Sequence, residues 1–477
     1  MCGVGFTTPP QMLAPASRLN LFEQNLEKSF LLQYLFDLLY VLPALIYAPV
    51  FFLKSRRAGE SPSLLFSERL GCISSKKLSR LQGKRILWVH AVSVGEVMVA
   101  RRFIESLRSL ASEAKLQSAA SYRPFDHFVL TTVTPTGQKL ARQSEASDLT
   151  AIYVPFDFSF CVRSFLNRIK PEALVLVETE IWPNLILNSM NKKLPIFLIN
   201  ARLSQKSLDG YRLVSALFAR VFSGITRVFA QGAVDGERFH ALGVDASKIE
   251  ITGNIKFDTA IPEKTIEVVS RKKFGLSEAN QVWIAGSTHP GEEKKLFDIF
   301  LKLREKHLNL KLILAPRHVE RTDALLRELS AKNVLIQRWS THQLPSPWDV
   351  LVVDQIGVLK DAYALGNFVF MGGSWIPHGG QNPIEPAVFN LPILHGPHVF
   401  NFKQVYEILD AAGAATCVLD SESCFEKVVS FLNHPDKTAQ AGCLAGETVG
   451  KYRGASARQA RRVMESLNER KKVKHEY

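Results

Sequence analysis

The sequence lacks the residue patterns that build metal and disulfide sites. Its six cysteines are scattered through 477 residues, and no two of them form a Cys-x-x-Cys pair. This argues against a disulfide framework and against a structural zinc site, and it fits a reducing, cytosolic environment. The chain also has no Asp-x-Asp pair, the acid pattern that could hold a divalent cation between a sugar and a diphosphate. We therefore expect neither a metal ion nor a cofactor.

Acidic residues are outnumbered by basic ones, 45 against 59, which gives a net charge of +14. This excess would suit nucleic acid, an anionic membrane face or a phosphorylated substrate, and charge alone does not choose between them. The hydrophobic content of 46% and the charged content of 22% are globular values and exclude a largely disordered chain. A chain of 477 residues exceeds what one hydrophobic core supports, so we expect two domains and an appendage.

One long apolar run extends from Phe30 to Leu53 near the start of the chain. The run has about 24 residues, which is enough for a helix to cross a hydrocarbon core of about 30 Å. Asp37 weakens a straight span because a carboxylate at mid-membrane is costly. Lys54, Arg56 and Arg57 follow and, by the positive-inside rule, would hold the downstream chain in the cytoplasm. The run is too long and starts too late for a cleaved signal peptide. We favour an uncleaved N-terminal anchor over an interfacial helix or a buried core helix.

Downstream of residue 57, short apolar runs alternate with amphipathic segments, which is typical of βαβ units around a parallel sheet. The first series of predicted strands is Arg85–Val92, Phe128–Val133, Ala151–Pro155, Ala173–Val177, Pro195–Asn200 and Arg227–Gln231. The second series is Val282–Gly286, Leu310–Ala315, Val334–Gln337, Val350–Val353, Phe368–Met371 and Pro392–Leu394. We predict an extension and membrane-anchor helix over residues 1–57 and two Rossmann-like, doubly wound α/β domains over 58–255 and 256–477. The C-terminal helix belongs to the second domain in this prediction, and the strands' carboxyl ends should face a shared cleft.

The segment Phe368–Glu385 runs from an apolar strand through two glycine pairs into a helix start. The glycines would let backbone N–H groups approach a phosphate closely. Asn382 and Pro383 look like a helix cap and a first-turn proline, and Glu385, one turn in, would accept hydrogen bonds from ribose or sugar hydroxyls. The segment therefore predicts a phosphate-holding loop rather than a plain strand-to-helix turn.

Two acidic loops follow strands of the first series. Glu96 opens a helix predicted over Val97–Leu110, where the positive helix end favours an ionised carboxylate that could accept a proton from a hydroxyl. The alternative is a capping acid that reaches back to Ser93. The second loop, Glu178-Thr179-Glu180-Ile181-Trp182-Pro183-Asn184, resembles an acceptor-binding rim. The alternative is that one of its two acids pairs with a buried arginine and the other is solvated.

The second domain supplies cationic candidates. Arg317 presents a rigid fork to phosphate oxygens, and Lys256 at the interdomain crossing could reach a phosphate or carboxylate. His289 and His318 have no third ligand at metal-site spacing, so we interpret them as polar histidines without a metal.

Taken together, these motifs resemble those of the 3-deoxy-D-manno-octulosonic acid (Kdo) transferases of lipopolysaccharide synthesis. The shared motifs occur in family order and together are highly specific. They are VSVGE at 92–96, TTVTPTG at 131–137, ETEIWPN at 178–184, INARLS at 199–204, GNIKFD at 253–258, LAPRH at 314–318, HGGQNPIEP at 378–386 and GPHVFNF at 396–402.

The resemblance implies a GT-B glycosyltransferase, an α/β enzyme of two domains on the cytoplasmic face of the inner membrane. It implies an inverting, metal-independent transfer from the donor substrate CMP-Kdo to a lipid A precursor such as lipid IVA, with no nucleic acid as partner. By motif, Glu96 is the proton acceptor, and Glu178 and Lys256 stabilise the transition state. The CMP-binding positions are Pro316, Arg317, Ile356, Gly357, Val358, Asn382, Pro383, Ile384 and Glu385.

Two positions depart from the family pattern. Ile356-Gly357-Val358 stands where many relatives have Met-Gly-Glu, so a contact made by that acid is lost here. Gln381 replaces a common histidine, which keeps hydrogen-bonding capacity but removes a titratable ring. Two rival functions are a sugar-nucleotide epimerase of similar architecture and a membrane-tethered phospholipid-binding protein without catalysis.

Overall fold

The computed structural model describes residues 29–43, 45–46, 62–116, 124–259, 271–329, 333–341 and 346–475. The chain divides into two compact units, Met1–Ile255 with Gly454–Tyr477 and Lys256–Arg453. Of the predicted extension and anchor over residues 1–57, residues 1–28, 44 and 47–57 lie outside the described residues.

The first unit is an α/β layer structure around one sheet. Its elements are α1 at 29–43, α2 Pro62–Arg69, α3 Ser75–Ser79, β1 Ile86–His90, α4 Val94–Leu116, β2 His127–Thr132, α5 Pro135–Gln143, β3 Leu149–Tyr153, α6 Ser159–Ile169, β4 Ala173–Val177, α7 Pro183–Asn191, β5 Ile196–Ala201, α8 Gln205–Leu213, α9 Ser215–Ser223, β6 Arg227–Ala230, α10 Ala233–Ala241 and β7 Ile249–Ile251. In the described residues the sheet has seven strands in the order β3-β2-β1-β4-β5-β6-β7. Each neighbouring pair is parallel.

The second unit repeats this plan. Its elements are α11 Lys256–Thr259, β8 Gln281–Thr288, α12 Glu292–Arg304, β9 Leu310–Pro316, α13 Thr322–Glu328, β10 Ile336–Arg338, β11 Val350–Val352, α14 Leu359–Leu365, β12 Phe368–Met371, α15 Ile384–Val388, β13 Ile393–His395, α16 Lys403–Ala411, β14 Ala415–Cys417, α17 Ser421–Asn433 and α18 Pro435–Tyr452. Its seven described strands are parallel in the order β10-β11-β9-β8-β12-β13-β14. The prediction of two parallel-sheet α/β domains is confirmed.

The central strands are buried along their whole length, which explains why they read as continuous apolar runs. Helices cover both faces of each sheet, so each unit has one hydrophobic cluster on either side of its strands. This burial is the main stabilising contribution to each unit, because removing apolar surface from water contributes about 25 cal/mol per Å².

The last helix, α19 Ala455–His475, belongs to the first unit, so its predicted placement in the second domain was wrong. It packs on α4, and its apolar residues Ala460 and Val463 join the cluster beneath that helix. Gln459 fastens it further: the side-chain oxygen accepts from Asn200 N–H at 2.9 Å, and the amide nitrogen donates to the Gly253 carbonyl at 3.1 Å.

Helix α1 covers the first part of the predicted anchor and has two different faces. Phe36 is buried in the first unit's core, whereas Leu31, Leu38 and Leu42 are 73%, 71% and 66% exposed. Asp37 points inward: it accepts from Ser159 N–H at 2.7 Å, from the Ser159 hydroxyl at 2.5 Å and from the Asn184 amide at 2.9 Å. Across the residues that the structure describes, no helix combines the length and hydropathy that a bilayer crossing requires.

Candidate active site

The two predicted acidic loops meet at one edge of the first sheet. Strands β1 and β4 are hydrogen-bonded neighbours, and the strand order reverses between them. Open α/β sheets bind their ligands in the crevice at such a reversal, beyond the carboxyl ends of the strands. Glu96 follows β1 and Glu178 follows β4, so both lie at this position.

Glu96 lies in the first turn of α4, which begins three residues earlier than predicted. Its Oε2 accepts from the Val92 N–H at 2.8 Å, and its Oε1 accepts from the Ser93 hydroxyl at 2.8 Å. These are the contacts of the capping alternative. Each carboxylate oxygen can accept more than one hydrogen bond, so Glu96 can cap its own helix and still accept a proton.

The loop after β4 holds Glu178 in an unusual backbone conformation. Glu178 has φ of 59°, in the left-handed region that non-glycine residues occupy at an energetic cost and often at functional sites. Glu180 accepts from the Trp182 indole N–H at 2.8 Å. The loop leads directly into α7, which begins at Pro183.

Two carboxyl groups of this edge, those of Glu96 and Glu180, are held in an environment that favours their protonated forms. Burial raises the pKa of Glu96, and the nearby Glu178 raises it further against the lowering effect of the Val92 and Ser93 hydrogen bonds. Burial, with Glu96 and Glu178 as neighbours, raises the pKa of Glu180 to about 7. Burial also lowers the pKa of His90 to about 3, so this histidine is neutral. A carboxylate with a raised pKa is a better proton acceptor for a hydroxyl than an exposed one.

A corresponding edge exists in the second unit. Strands β8 and β12 are neighbours where its strand order reverses, and β9 pairs with β8 on the other side. The loops that follow these three strands contain His289, the glycine-rich loop from Gly372, and Arg317. The structure therefore brings the predicted donor motifs of this unit to one end of its sheet.

The glycine-rich loop is not the open phosphate cradle that its sequence predicts. The N–H groups of Gly373, Ser374 and Trp375 donate to the carboxylate of Glu292 at 2.7, 3.1 and 3.0 Å. The His289 N–H donates to the same carboxylate at 3.0 Å. Glu292 is fully buried, so an anion of the chain itself occupies the nest that the glycines create. Of the glycines predicted to offer N–H groups to a phosphate, Gly373 donates to Glu292, and Gly372 and Gly380 donate to the carbonyls of Gly286 and Gly373.

The second half of the loop is held by contacts between its own residues. Asn382 Oδ1 accepts from the Ile384 N–H at 3.1 Å, and its amide donates to Glu385 at 3.3 Å. The N-cap position of α15 is Pro383, so the prediction of Asn382 as the helix cap was wrong. Pro383 lies just before the helix rather than inside it. Burial raises the pKa of Glu385, while Asn382, Lys360 and Arg317 lower it in part. Arg317 and Glu385 thus lie close enough to interact, and the Arg317 side chain is exposed.

The remaining candidates lie at the end of β9, in the loop before α14 and at the start of α11. Pro316 ends β9 and directs Arg317 out of the sheet. Ile356 is 89% exposed, Gly357 has φ of 98°, and Val358 precedes α14. Lys256 opens α11, and its ammonium lies 5.7 Å from the centroid of the Phe402 ring.

Three residues of these loops were not singled out from the sequence as functional. Of these three, only Glu292 could have been found from a local sequence pattern, because it is an acid three residues after His289 at a helix start. Lys360 and His378 gain their positions from the tertiary fold, and no spacing rule would have found them. Within the described part of the chain, no cluster of three His, Cys, Asp or Glu side chains could hold a metal ion.

Comparisons with known proteins show which family model and which relatives this chain matches. Residues 65–259 match the family model described as 3-Deoxy-D-manno-octulosonic-acid transferase (kdotransferase). The chain is 31% identical over 394 residues to the 3-deoxy-D-manno-octulosonic acid transferase of Haemophilus influenzae, covering 82% of this chain and 89% of that protein. It is 28% identical over 426 residues to the enzyme of the same name from Bordetella pertussis, covering 87% of this chain and 94% of the relative.

The fold also resembles that of solved sugar-nucleotide enzymes. The UDP-GlcNAc 2-epimerase of Neisseria meningitidis bound to UDP-GlcNAc superposes with a TM-score of 0.53, covering 81% of this chain and 100% of that one. At 14% identity, this likeness shows the fold alone.

Proposed function

This chain belongs to the 3-deoxy-D-manno-octulosonic acid transferase family, and we propose that it moves Kdo from CMP-Kdo to a hydroxyl of a lipid A precursor such as lipid IVA. Kdo transfer in lipopolysaccharide synthesis is the activity of the family. The donor, the acceptor, the stereochemical course and the roles of single residues are the proposed parts.

In the proposed reaction, Glu96 removes the proton from the acceptor hydroxyl as its oxygen attacks the anomeric carbon of Kdo. A new carbon–oxygen bond forms to that carbon, and the bond to the phosphate oxygen breaks on the opposite face. The configuration therefore inverts, and CMP leaves with the bonding electron pair. Glu178 lies beside Glu96 and, by family motif, stabilises the transition state together with Lys256.

Cationic side chains meet the charge on the departing phosphate without a metal ion in this scheme. Arg317 offers two N–H groups to phosphate oxygens, and Glu385 accepts from the ribose hydroxyls of the cytidine. The pairing of Glu385 with Asn382 and with the charges of Lys360 and Arg317 holds that acid in place before the donor binds. Ile356, Gly357 and Val358 contribute backbone contacts only, because the acid of many relatives is absent there.

The acceptor is a lipid, and α1 provides a surface suited to it. The inward face of the helix is fixed by Asp37, whereas the outward face presents Leu31, Leu38 and Leu42. Asn184, which binds Asp37, lies two residues after Trp182 of the acceptor-loop motif. We propose that the outward face rests in the cytoplasmic leaflet of the inner membrane, whose anionic lipids attract the positively charged chain.

The observation that carries the proposal is the pair of acids, Glu96 and Glu178, at the strand reversal of a sheet whose motifs match the family. The test is to incubate the purified full chain with CMP-Kdo and lipid IVA and to weigh the lipid by mass spectrometry. We expect the lipid to gain the mass of one or more Kdo residues and CMP to be released in equal number. Unchanged lipid with intact CMP-Kdo would refute the proposed reaction.

A further inference from the structure

Three histidines form a cluster in the second unit, and the reaction above gives them no role. His289 follows β8, His318 follows β9, and His378 lies in the glycine-rich loop. The ring centroid of His289 is 4.1 Å from that of His378 and 5.9 Å from that of His318. His289 is buried beneath the exposed His378 ring. The cluster therefore joins the three donor-site loops at one point.

Gln381 fixes the protonation pattern of the central ring. Its amide nitrogen lies 3.2 Å from His289 Nε2. An amide nitrogen only donates, so His289 Nε2 accepts and the ring carries its proton on Nδ1. A Cβ atom added at Gly373 would stand 3.3 to 3.4 Å from these same two side chains, so only a glycine leaves this pair undisturbed. The second amide N–H of Gln381 and the Nδ1–H of His289 are then hydrogen-bond donors.

The surroundings of His289 are electropositive. Burial is the main cause that lowers the pKa of His289 to about 4, and His378, His318, Arg317 and Arg321 contribute to the same shift. The acids nearby are already engaged. Glu292 accepts four backbone N–H groups, Glu293 pairs with Arg321 at 3.2 Å, and Glu320 pairs with His318 at 3.3 Å. Because Glu292 is held by backbone N–H groups and Glu293 is paired with Arg321, the N–H donors of His289 and Gln381 beside Arg317 suit an anionic group.

We propose that His289, His378 and Gln381 form a binding subsite for the carboxylate of the donor sugar, next to the phosphate position at Arg317. This inference rests on the proposed function. An octulosonic acid carries its carboxylate on the anomeric carbon, the same carbon that bears the phosphate oxygen in the donor. The ligand thus presents two anions close together, and the loops after β8 and β9 present two adjacent sets of donors. The subsite selects a sugar acid over a neutral sugar on the same nucleotide.

The test compares two ligands that differ by the sugar acid, CMP and CMP-Kdo, by isothermal titration of the full chain without acceptor. The variants are His289→Ala and His378→Ala, with His307→Ala as the matched control at the opposite end of the sheet. We expect the first two to bind CMP-Kdo about 10-fold or more weakly, because each removes a hydrogen bond to a charged group. Their affinity for CMP should stay within about twofold of wild type. Gln381→His, which keeps a ring N–H, should retain most of the preference for CMP-Kdo.

The outcomes separate the two proposals. If His289→Ala and His378→Ala weaken CMP and CMP-Kdo by equal factors, or weaken neither, the carboxylate subsite is overturned while the donor assignment stands. If the wild-type chain binds neither ligand, the proposed donor is overturned together with the subsite. His378 is exposed, so its variant keeps the test decisive even if His289→Ala does not fold.

Discussion

Replacing Glu180 with Gln should stabilise the first unit at neutral and alkaline pH. The pKa of Glu180 is about 7 in the folded chain against an ordinary value of 4.5. A carboxyl whose folded pKa is raised binds its proton more tightly when folded. Its contribution to stability is therefore fully present below pH 4.5 and is lost as the pH rises through 7. The amide keeps the hydrogen bond from the Trp182 indole and carries no charge to desolvate.

The size of the effect follows from the shift. One pKa unit corresponds to about 1.4 kcal/mol. Above pH 7 the free energy of unfolding of the wild-type chain should therefore be lower than that of Glu180→Gln by up to about 3 kcal/mol. For a unit of this size that is a rise in Tm of roughly 6–10 °C. The difference should shrink to nothing near pH 4.5.

Scanning calorimetry from pH 4.5 to pH 8.5 measures this difference. Glu237→Gln, the same chemical change at an exposed position of α10, is the control and should show no pH-dependent gain. Equal Tm values for Glu180→Gln and wild type at pH 8, or a gain that persists unchanged at pH 4.5, would refute the reasoning.

Three further predictions use other parts of the molecule. Glu292→Gln leaves two backbone N–H groups facing an amide nitrogen, so we expect the free energy of unfolding of the second unit to fall by about 3 kcal/mol or more. Asp298→Asn on the same helix is the control and should cost under about 0.5 kcal/mol, because the Asp298–Lys294 pair is exposed. Urea titration followed by tryptophan fluorescence measures both, and equal losses would contradict the role of Glu292. Leu38→Asp with Leu42→Asp should reduce sedimentation with phosphatidylglycerol vesicles at least about tenfold, because burying each leucine contributes about 2 kcal/mol; unchanged binding would argue against the α1 surface. Transfer should fall on the acid side above the usual glutamate range, because the raised pKa of Glu96 leaves the base protonated there; kcat/KM from pH 4 to pH 9 checks this, and a limb at an ordinary glutamate pKa would contradict it.

The sheets were predictable because their strands are buried on both faces and read as apolar runs. The predicted Ala173–Val177 and Phe368–Met371 coincide with β4 and β12. Strands β7 and β14 were missed, since each is three residues long and partly exposed at the sheet edge. Short edge strands carry too few alternating or apolar positions to be distinguished from loops.

The sequence motifs predicted which loops form the candidate site, but they did not predict the tertiary contacts of the residues in those loops. Nothing local predicts that Glu292, 81 residues before Gly373, supplies the anion for the glycine nest. From the sequence alone, the apolar run at 30–53 predicts a membrane-spanning helix. The reason for a carboxylate at Asp37 is visible only in the tertiary structure, where Asp37 accepts hydrogen bonds from Ser159 and Asn184. The placement of α19 likewise depends on the complementary surface of α4, which a helical pattern alone does not specify.

The most direct test of the central claim is a single-turnover assay of Glu96→Gln with CMP-Kdo and lipid IVA, beside isothermal titration of the same variant with CMP-Kdo. Our account predicts that transfer falls by about 100-fold or more, in the range expected for loss of a general base, while the affinity for CMP-Kdo stays within about twofold of wild type. Near-normal transfer by Glu96→Gln would contradict the assignment of Glu96 as the proton acceptor.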